Sequence, residues 1–252
     1  NKFDPLANTF YLFNHDGSNP QSIAGDTIKT ITGDTNGNLW VGTTSGLDKY
    51  SEQLNQFTHF THNQSDTKSI SDDVIWSLFF DSQGQFWVAT NRGLDKFNPD
   101  SSEFIHFGAV YGLPETTIYT IFEYEPGVLL LGTDYGLYRF DTISETSVPF
   151  RFDANNPTTI NNNAVRCIYQ ATNGTILIGT HTGLNIFNIT EGTFERYTQI
   201  NGVTYGILED NFGYVWISGN NGLIRLFLAN ETIKTFNKTD GLQSDEFSEG
   251  AY

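Results

Sequence analysis

Five histidines, His15, His59, His62, His106 and His181, are spread along the 252 residues, and two of them form His59-x-x-His62. Their flanks read as an extended outer strand, where residues three apart point to opposite faces, so no metal site is expected there. Asp34, Asp81 and Asp210 recur at one point of a repeating pattern. A carboxylate that returns in repeat after repeat suits a turn, where aspartate accepts nearby backbone amides, better than acid or base catalysis. Cys167 is the only cysteine, which rules out an internal disulfide. It shares its column with Thr30, Ser77, Thr120 and Gly206, so a small buried thiol is expected. The chain has no Gly-x-Ser-x-Gly elbow, phosphate loop or His-Glu-x-x-His. No catalytic residue, metal or cofactor is expected.

Reversible binding is better provided for. Lys29, Trp76, Tyr119, Arg166 and Tyr205 stand at equivalent points of the pattern, and the residue type changes from each to the next. Aromatic faces stack on apolar faces of a sugar or another flat polar molecule, and the polar ends hydrogen-bond to hydroxyls. The pairs Thr44-Ser45, Asn91-Arg92, Asp134-Tyr135, His181-Thr182 and Asn220-Asn221 vary likewise. Arg92, Tyr135 and His181 therefore join the candidate ligand-binding set, with an oligosaccharide or other small polar ligand as the expected occupant. Lys29 and Arg166 would accept a carboxylate or sulfate substituent. They stand out against a net charge of −16, with 29 acidic residues and 13 Lys plus Arg. That balance argues against nucleic acid and anionic lipid surfaces as partners.

The elements that must position these residues repeat. Gly37-Asn38-Leu39-Trp40-Val41-Gly42-Thr43-Thr44-Ser45-Gly46-Leu47 returns four more times, and the Gly-Leu pairs lie 47, 43, 47 and 39 residues apart. Each repeat divides into four short runs of β-branched and aromatic residues, such as 74–80, 86–90, 94–97 and 103–107, bounded by Gly, Asn and Asp. A period near 45 residues built of four strands predicts an all-β propeller of four-stranded blades, with almost no helix. Gly46, Gly93, Gly136, Gly183 and Gly222 are expected to close two-residue hairpin loops. Trp40, Trp87 and Trp216, with Leu130 and Leu177 at the same column, are expected to pack between blades as structural residues. The column Ile31, Leu78, Ile121, Ile168, Ile207 is expected in the core. The varied column falls where an inner strand begins, near the mouth of a propeller channel.

The pattern Asp-x-x-Gly-x-[Leu/Phe/Val]-Trp-[Val/Ile]-Gly-Thr-x-x-Gly-Leu-x-[Lys/Arg]-[Tyr/Phe] resembles the two-component regulator propeller repeat over nearly the whole chain. Departures are Ala89 for Gly, Ser218-Gly219 for Gly-Thr, and Leu130 and Leu177 for Trp. Kelch Gly-Gly doublets and the Gly-His and Trp-Asp marks of WD40 repeats are missing. The resemblance implies a non-catalytic sensor module, periplasmic or otherwise extracytoplasmic, in an inner-membrane receptor with a histidine kinase or diguanylate cyclase output. Membrane contact would come only through that parent, and a neighbouring propeller or a homodimer mate is an implied partner. A propeller enzyme acting on polysaccharide and a passive dimerisation scaffold are the alternatives.

The expected repeats run approximately over 17–62, 63–109, 110–154, 155–199 and 200–240, with partial blades at 1–16 and 241–252. All belong to one propeller domain or part of one. Asn1-Lys2-Phe3-Asp4-Pro5 matches Asp95-Lys96-Phe97-Asn98-Pro99, and Gly241-Leu242 with Gly250-Ala251-Tyr252 reads as the opening of a further blade. Seven repeats of such length would need about 308 residues. The chain is therefore expected to be a piece of a longer receptor.

Overall fold

Alternating β-branched and aromatic residues make strands, and Gly, Asn and Asp at the turns fold those strands back on themselves. The computed structural model describes residues 1–248, and Gly250-Ala251-Tyr252 lie outside the described residues. The chain divides into two units, Asn1–Phe107 and the residues from Gly108 onward.

Unit one opens with a two-stranded hairpin, β1 (Lys2–Asp4) and β2 (Thr9–Tyr11). Two four-stranded antiparallel sheets follow, each with its strands in sequence order. The first holds β3 (Ile28–Gly33), β4 (Leu39–Thr43), β5 (Leu47–Ser51) and β6 (Gln56–Phe60). The second holds β7 (Ile75–Phe80), β8 (Phe86–Thr90), β9 (Gly93–Asn98) and β10 (Glu103–Phe107). Unit two holds three more such sheets: β11 (Ile118–Glu125) to β14 (Thr146–Phe150), β15 (Val165–Gln170) to β18 (Thr193–Tyr197), and β19 (Thr204–Glu209) to β22 (Thr232–Phe236). Between the outer two come β12 (Val128–Thr133) and β13 (Gly136–Asp141), then β16 (Ile176–Thr180) and β17 (Gly183–Asn188), then β20 (Tyr214–Gly219) and β21 (Leu223–Phe227). These are the blades of an all-β propeller fold, and helix among the described residues is limited to 3-10 turns at Ala109–Tyr111 and Lys238–Asp240.

The recurring aspartates do more than cap turns. Asp81 Oδ1 accepts the amides of Gln83 and Gln85 at 3.0 and 2.8 Å, while Oδ2 accepts the indole N–H of Trp87 at 2.8 Å. Asp34 binds Asn36, Asn38 and Trp40 in the same way, and Asp210 binds Phe212, Tyr214 and Trp216. Burying an indole N–H without an acceptor costs about 1–3 kcal/mol, so tryptophan in this seam needs its aspartate. Where the column holds Leu130 and Leu177, the residue six earlier is Tyr124 and Ala171. Acid and indole therefore come and go together.

Trp40 joins the two four-stranded sheets of unit one. Its ring lies 4.7 Å from Phe86 and 5.2 Å from Phe97 of the next sheet, over a core of Leu47, Ile70, Ile75, Leu78 and Val88. In unit two Leu130 packs with Ile160, Val165, Ile176 and Phe187, and Leu177 with Ile207, Val215, Ile217 and Leu226. Inner strands of neighbouring sheets approach closely: a Cβ on Gly42 would stand 2.7 Å from Ile75 Cγ2. Cys167 is buried as expected, and desolvation pushes its thiol up to about 12.

One expectation fails: Ile31 is 58 % exposed, and the hairpin β1–β2 that precedes β3 in unit one has only two strands. Trp216 is half-buried and stacks on Phe236 of its own sheet at 5.7 Å. Trp40 and Trp87 are buried.

Asp81→Ala should destabilise the protein by about 2–3 kcal/mol and Trp87→Ala by about 3–5 kcal/mol. Urea unfolding of the double variant should show a loss well below the sum. An additive result would mean that the two residues do not act as one clamp. The indole N–H of Trp216, ahead of the amides of Tyr214 and Phe212, holds the Asp210 carboxyl below its ordinary value. That contribution is present above about pH 4 and is lost as pH falls through the depressed value. Acid titration should then red-shift tryptophan emission in wild type more than in Asp210→Asn.

Candidate functional site

Every inner strand breaks register at its second residue, and β11 does so again between Glu123 and Glu125. Ile28 pairs with Thr43 and Thr30 with Gly42, so the register skips Lys29. The same skip falls at Trp76, Tyr119, Arg166 and Tyr205. A β-bulge adds one residue to one strand and re-aims its side chain. All five residues of the varied column are bulge residues.

The loop beside each bulge fixes it. Thr43 Oγ1 donates to the Gly46 carbonyl at 2.9 Å and accepts the Ser45 amide at 2.9 Å, and Thr90, Thr133 and Thr180 repeat both bonds. The next amide in each loop reaches back to the residue before the inner strand: Thr44 to Thr27, Asn91 to Val74, Asp134 to Thr117, His181 to Ala164 and Asn220 to Val203. Gly46 has φ 127°, a left-handed backbone at which a Cβ would collide with the Phe60 carbonyl. The other four expected loop glycines also have positive φ.

Within unit one, the Lys29 ammonium lies 4.2 Å from the centre of the Trp76 ring, and the Trp76 indole donates to Asn91 Oδ1 at 2.7 Å. Within unit two, the Arg166 guanidinium lies 3.8 Å from the Tyr119 ring, and the Tyr119 hydroxyl donates to Asp134 Oδ1 at 2.8 Å. Each pair joins neighbouring sheets, and each aromatic ring is anchored to its own loop fifteen residues on. Cation–π contact of this kind is worth about 0.5–2 kcal/mol according to exposure. All five column residues are half-buried. Arg92, Tyr135 and His181 are exposed on the neighbouring loops. Tyr205 holds the bulge of β19 in the last described sheet.

Asn91 and Asp134 are anchors that the sequence reading passes over as loop variation. The signal was a fixed separation of fifteen from the column to an amide or carboxylate. A cavity of about 680 Å³ was not anticipated either. It opens in unit one at the end of the sheets away from the bulges, walled by Trp40, Phe60, Phe86 and Phe97, all seam side chains. Among the described residues no group of three or more His, Cys, Asp or Glu side chains could hold a metal ion.

Residues 22–45, 69–92 and 159–182 match the family model of the two component regulator propeller. Histidine kinase P4 of Formosa agariphila is 29 % identical over 191 residues, covering 54 % of this chain and 14 % of that protein. The extracellular domain assigned to the hybrid two component system BT3049 of B. thetaiotaomicron is 26 % identical, with a TM-score of 0.77 over 95 % of this chain and 32 % of that one. The chain thus spans a third or less of either relative. A virginiamycin B lyase variant from Staphylococcus aureus, with quinupristin, gives a TM-score of 0.67 at 13 % identity over 90 % of this chain and 74 % of that one. That likeness shows the propeller fold alone.

Trp76 is the half-buried tryptophan held by a neutral amide rather than by a carboxylate. Asn91→Ala should leave stability within about 1 kcal/mol while raising acrylamide quenching of tryptophan emission, and Trp76→Phe should abolish the increase. Unchanged quenching in Asn91→Ala would show that the loop does not hold the ring.

Proposed function

This chain carries two component regulator propeller repeats, and on that premise we propose that it is the extracytoplasmic ligand-sensing module of a bacterial signal-transduction receptor. The module does no chemistry itself. The observation that carries the reading is the bulge column: a constant scaffold presents one re-aimed side chain per blade, and those side chains differ in size and charge. A repeat fold that keeps its frame and varies one position is built to recognise rather than to catalyse.

The ligand proposed is an oligosaccharide or another small polar molecule. It would stack on Trp76 and hydrogen-bond to Lys29 and the loop residue Arg92 in unit one, or stack on Tyr119 and hydrogen-bond to Arg166 and the loop residues Tyr135 and His181 in unit two. Similarity to an extracellular domain supports a periplasmic location, with the membrane reached only through the parent protein. No helix among the described residues is long and apolar enough to cross a membrane. Ligand binding, or repacking against a neighbouring propeller or dimer mate, would bias a two-state arrangement read by a cytoplasmic kinase or cyclase. The kinase relative favours the former output.

Calorimetry against a panel of neutral, uronate-containing and sulfated oligosaccharides tests the site. At least one glycan should bind wild type, and Trp76→Ala or Arg166→Ala, according to the unit that holds it, should weaken it roughly tenfold, the equivalent of about 1.4 kcal/mol. A glycan that binds wild type and both variants equally would place the site elsewhere.

A further inference from the structure

Two buried aspartates each hold a histidine whose second ring nitrogen is also engaged. Asp95 is fully buried, and His106 Nδ1 lies 2.6 Å from its Oδ1. His106 Nε2 lies 2.9 Å from the Thr67 carbonyl, and Asp95 Oδ2 accepts the Ser71 amide and hydroxyl at 2.9 and 2.8 Å. An ionised carboxylate and a carbonyl both only accept, so both ring nitrogens must donate and the ring is an imidazolium. The first four-stranded sheet repeats the arrangement: His59 Nδ1 bonds Asp48 Oδ1, Nε2 donates to the Pro20 carbonyl at 2.9 Å, and Asp48 Oδ2 accepts the Ala24 amide at 2.9 Å.

The chain contains its own control. Across the same strand pair in the fourth sheet stand Asn185 and Arg196. Arg196, a permanent cation, donates to the Thr159 and Asn156 carbonyls at 2.9 and 3.1 Å, and Asn185 bonds Asn161 as the neutral substitute for the acid. All three clasped segments, 15–26, 62–73 and 152–163, are long lead-in loops to an inner strand. Where that connection is short, before β11 and before β19, the paired positions hold Tyr138 with Pro149 and Ile224 with Thr235.

We propose that the Asp95–His106 and Asp48–His59 pairs are proton-operated clasps on the two loops that deliver Trp76 and Lys29 to their bulges. With two ring protons, His106 pins Thr67 to β10 while Asp95 pins Ser71 to β9. With one proton, the ring keeps its N–H toward Asp95 and turns a lone pair toward the Thr67 carbonyl, which lets the loop go. The hydrogen bond to Asp95 lifts His106 above its ordinary value, against the opposing pull of burial. The clasp is therefore fully closed below about pH 6.5 and opens as pH rises through the raised value. Other charged groups on the loop and on β10 are Asp66 and the exposed Lys68–Glu103 pair at 2.8 Å. At the other clasp, burial pushes the Asp48 carboxyl up while the bonds from His59 and the Ala24 amide pull it down, and His15 lies near enough to act on it. Control of the Lys29–Trp76 pair by these clasps rests on the binding role proposed above, but the clasp itself does not.

The test needs no ligand. Hydrogen-exchange protection of amides 63–71 is followed against pH, corrected for intrinsic rates, together with the His106 ring nitrogens by NMR. In wild type, protection should fall by up to about tenfold per unit of pH between the ordinary histidine value and the raised His106 value and level off above it, while the Arg196-clasped amides 153–160 stay flat. His106→Arg should flatten the first loop as well. Equal pH profiles for the two loops in wild type would overturn the proposal, and so would a clasped His106 with only one protonated nitrogen. The wild-type comparison decides the matter even if the arginine variant does not fold. A flat calorimetric panel with a titrating loop would sink the binding role and leave the clasp standing.

Discussion

The hydroxyls of Thr43, Thr90, Thr133 and Thr180 each hold a two-residue loop by donating to the glycine carbonyl and accepting the amide between. The loop so held then bonds to the residue ahead of its own inner strand, and the amides of Gly46 and Gly136 bond to Asp73 and Asn163 in the lead-in of the next. In four of the five four-stranded sheets one buried hydroxyl thus ties the hairpin loop beside the bulge. The last sheet shows the cost of doing without it. There the Gly-Thr pair is reversed to Ser218-Gly219, the Ser218 hydroxyl is buried without a hydrogen-bond partner, and Asn220 Oδ1 takes over by accepting the Val203 amide.

The buried indoles and carboxylates among the described residues come in matched sets. Trp40, Trp87 and Trp216 have Asp34, Asp81 and Asp210, whereas Leu130 and Leu177 have none. Asp95 has His106, while Asn185, which carries no charge, faces an arginine that spends its charge on backbone carbonyls instead. A lone buried carboxylate or indole N–H would cost several kilocalories per mole, so each residue of a set is tolerated only with its companion. Blades can therefore differ from one another, provided that they exchange whole sets.

Much of the fold was legible in the sequence because it is local. The strands at 86–90 and 103–107 fall where the alternation of apolar residues put them, and the loop glycines were marked by their place in the period. The bulges were not legible. A register skip is a property of two strands taken together, and Trp76 looks like any strand residue until its neighbours Ile75 and Ser77 are seen pairing with Thr90 and Ala89. Ile31 misled for a related reason: its column is core only where a complete blade lies against it. The varied column itself was visible by alignment, but its pairing into Lys29 with Trp76 and Tyr119 with Arg166 depends on distances between sheets. No spacing along the chain reports those.

A bulge residue near the head of each inner strand changes what mutation can do. Elsewhere in a blade a substitution must suit a cross-strand partner, a seam or a left-handed turn, and most changes at Gly42 or Trp87 are closed off. At a bulge the strand ladder skips the residue, and the contacts it must suit are with a ring or a loop. Duplicated blades that began as identical copies could drift there first, each acquiring its own letter while the grammar of the fold stayed fixed. Diversity in a lineage of such propellers would then collect at one position per repeat, and a designer could change those positions one at a time.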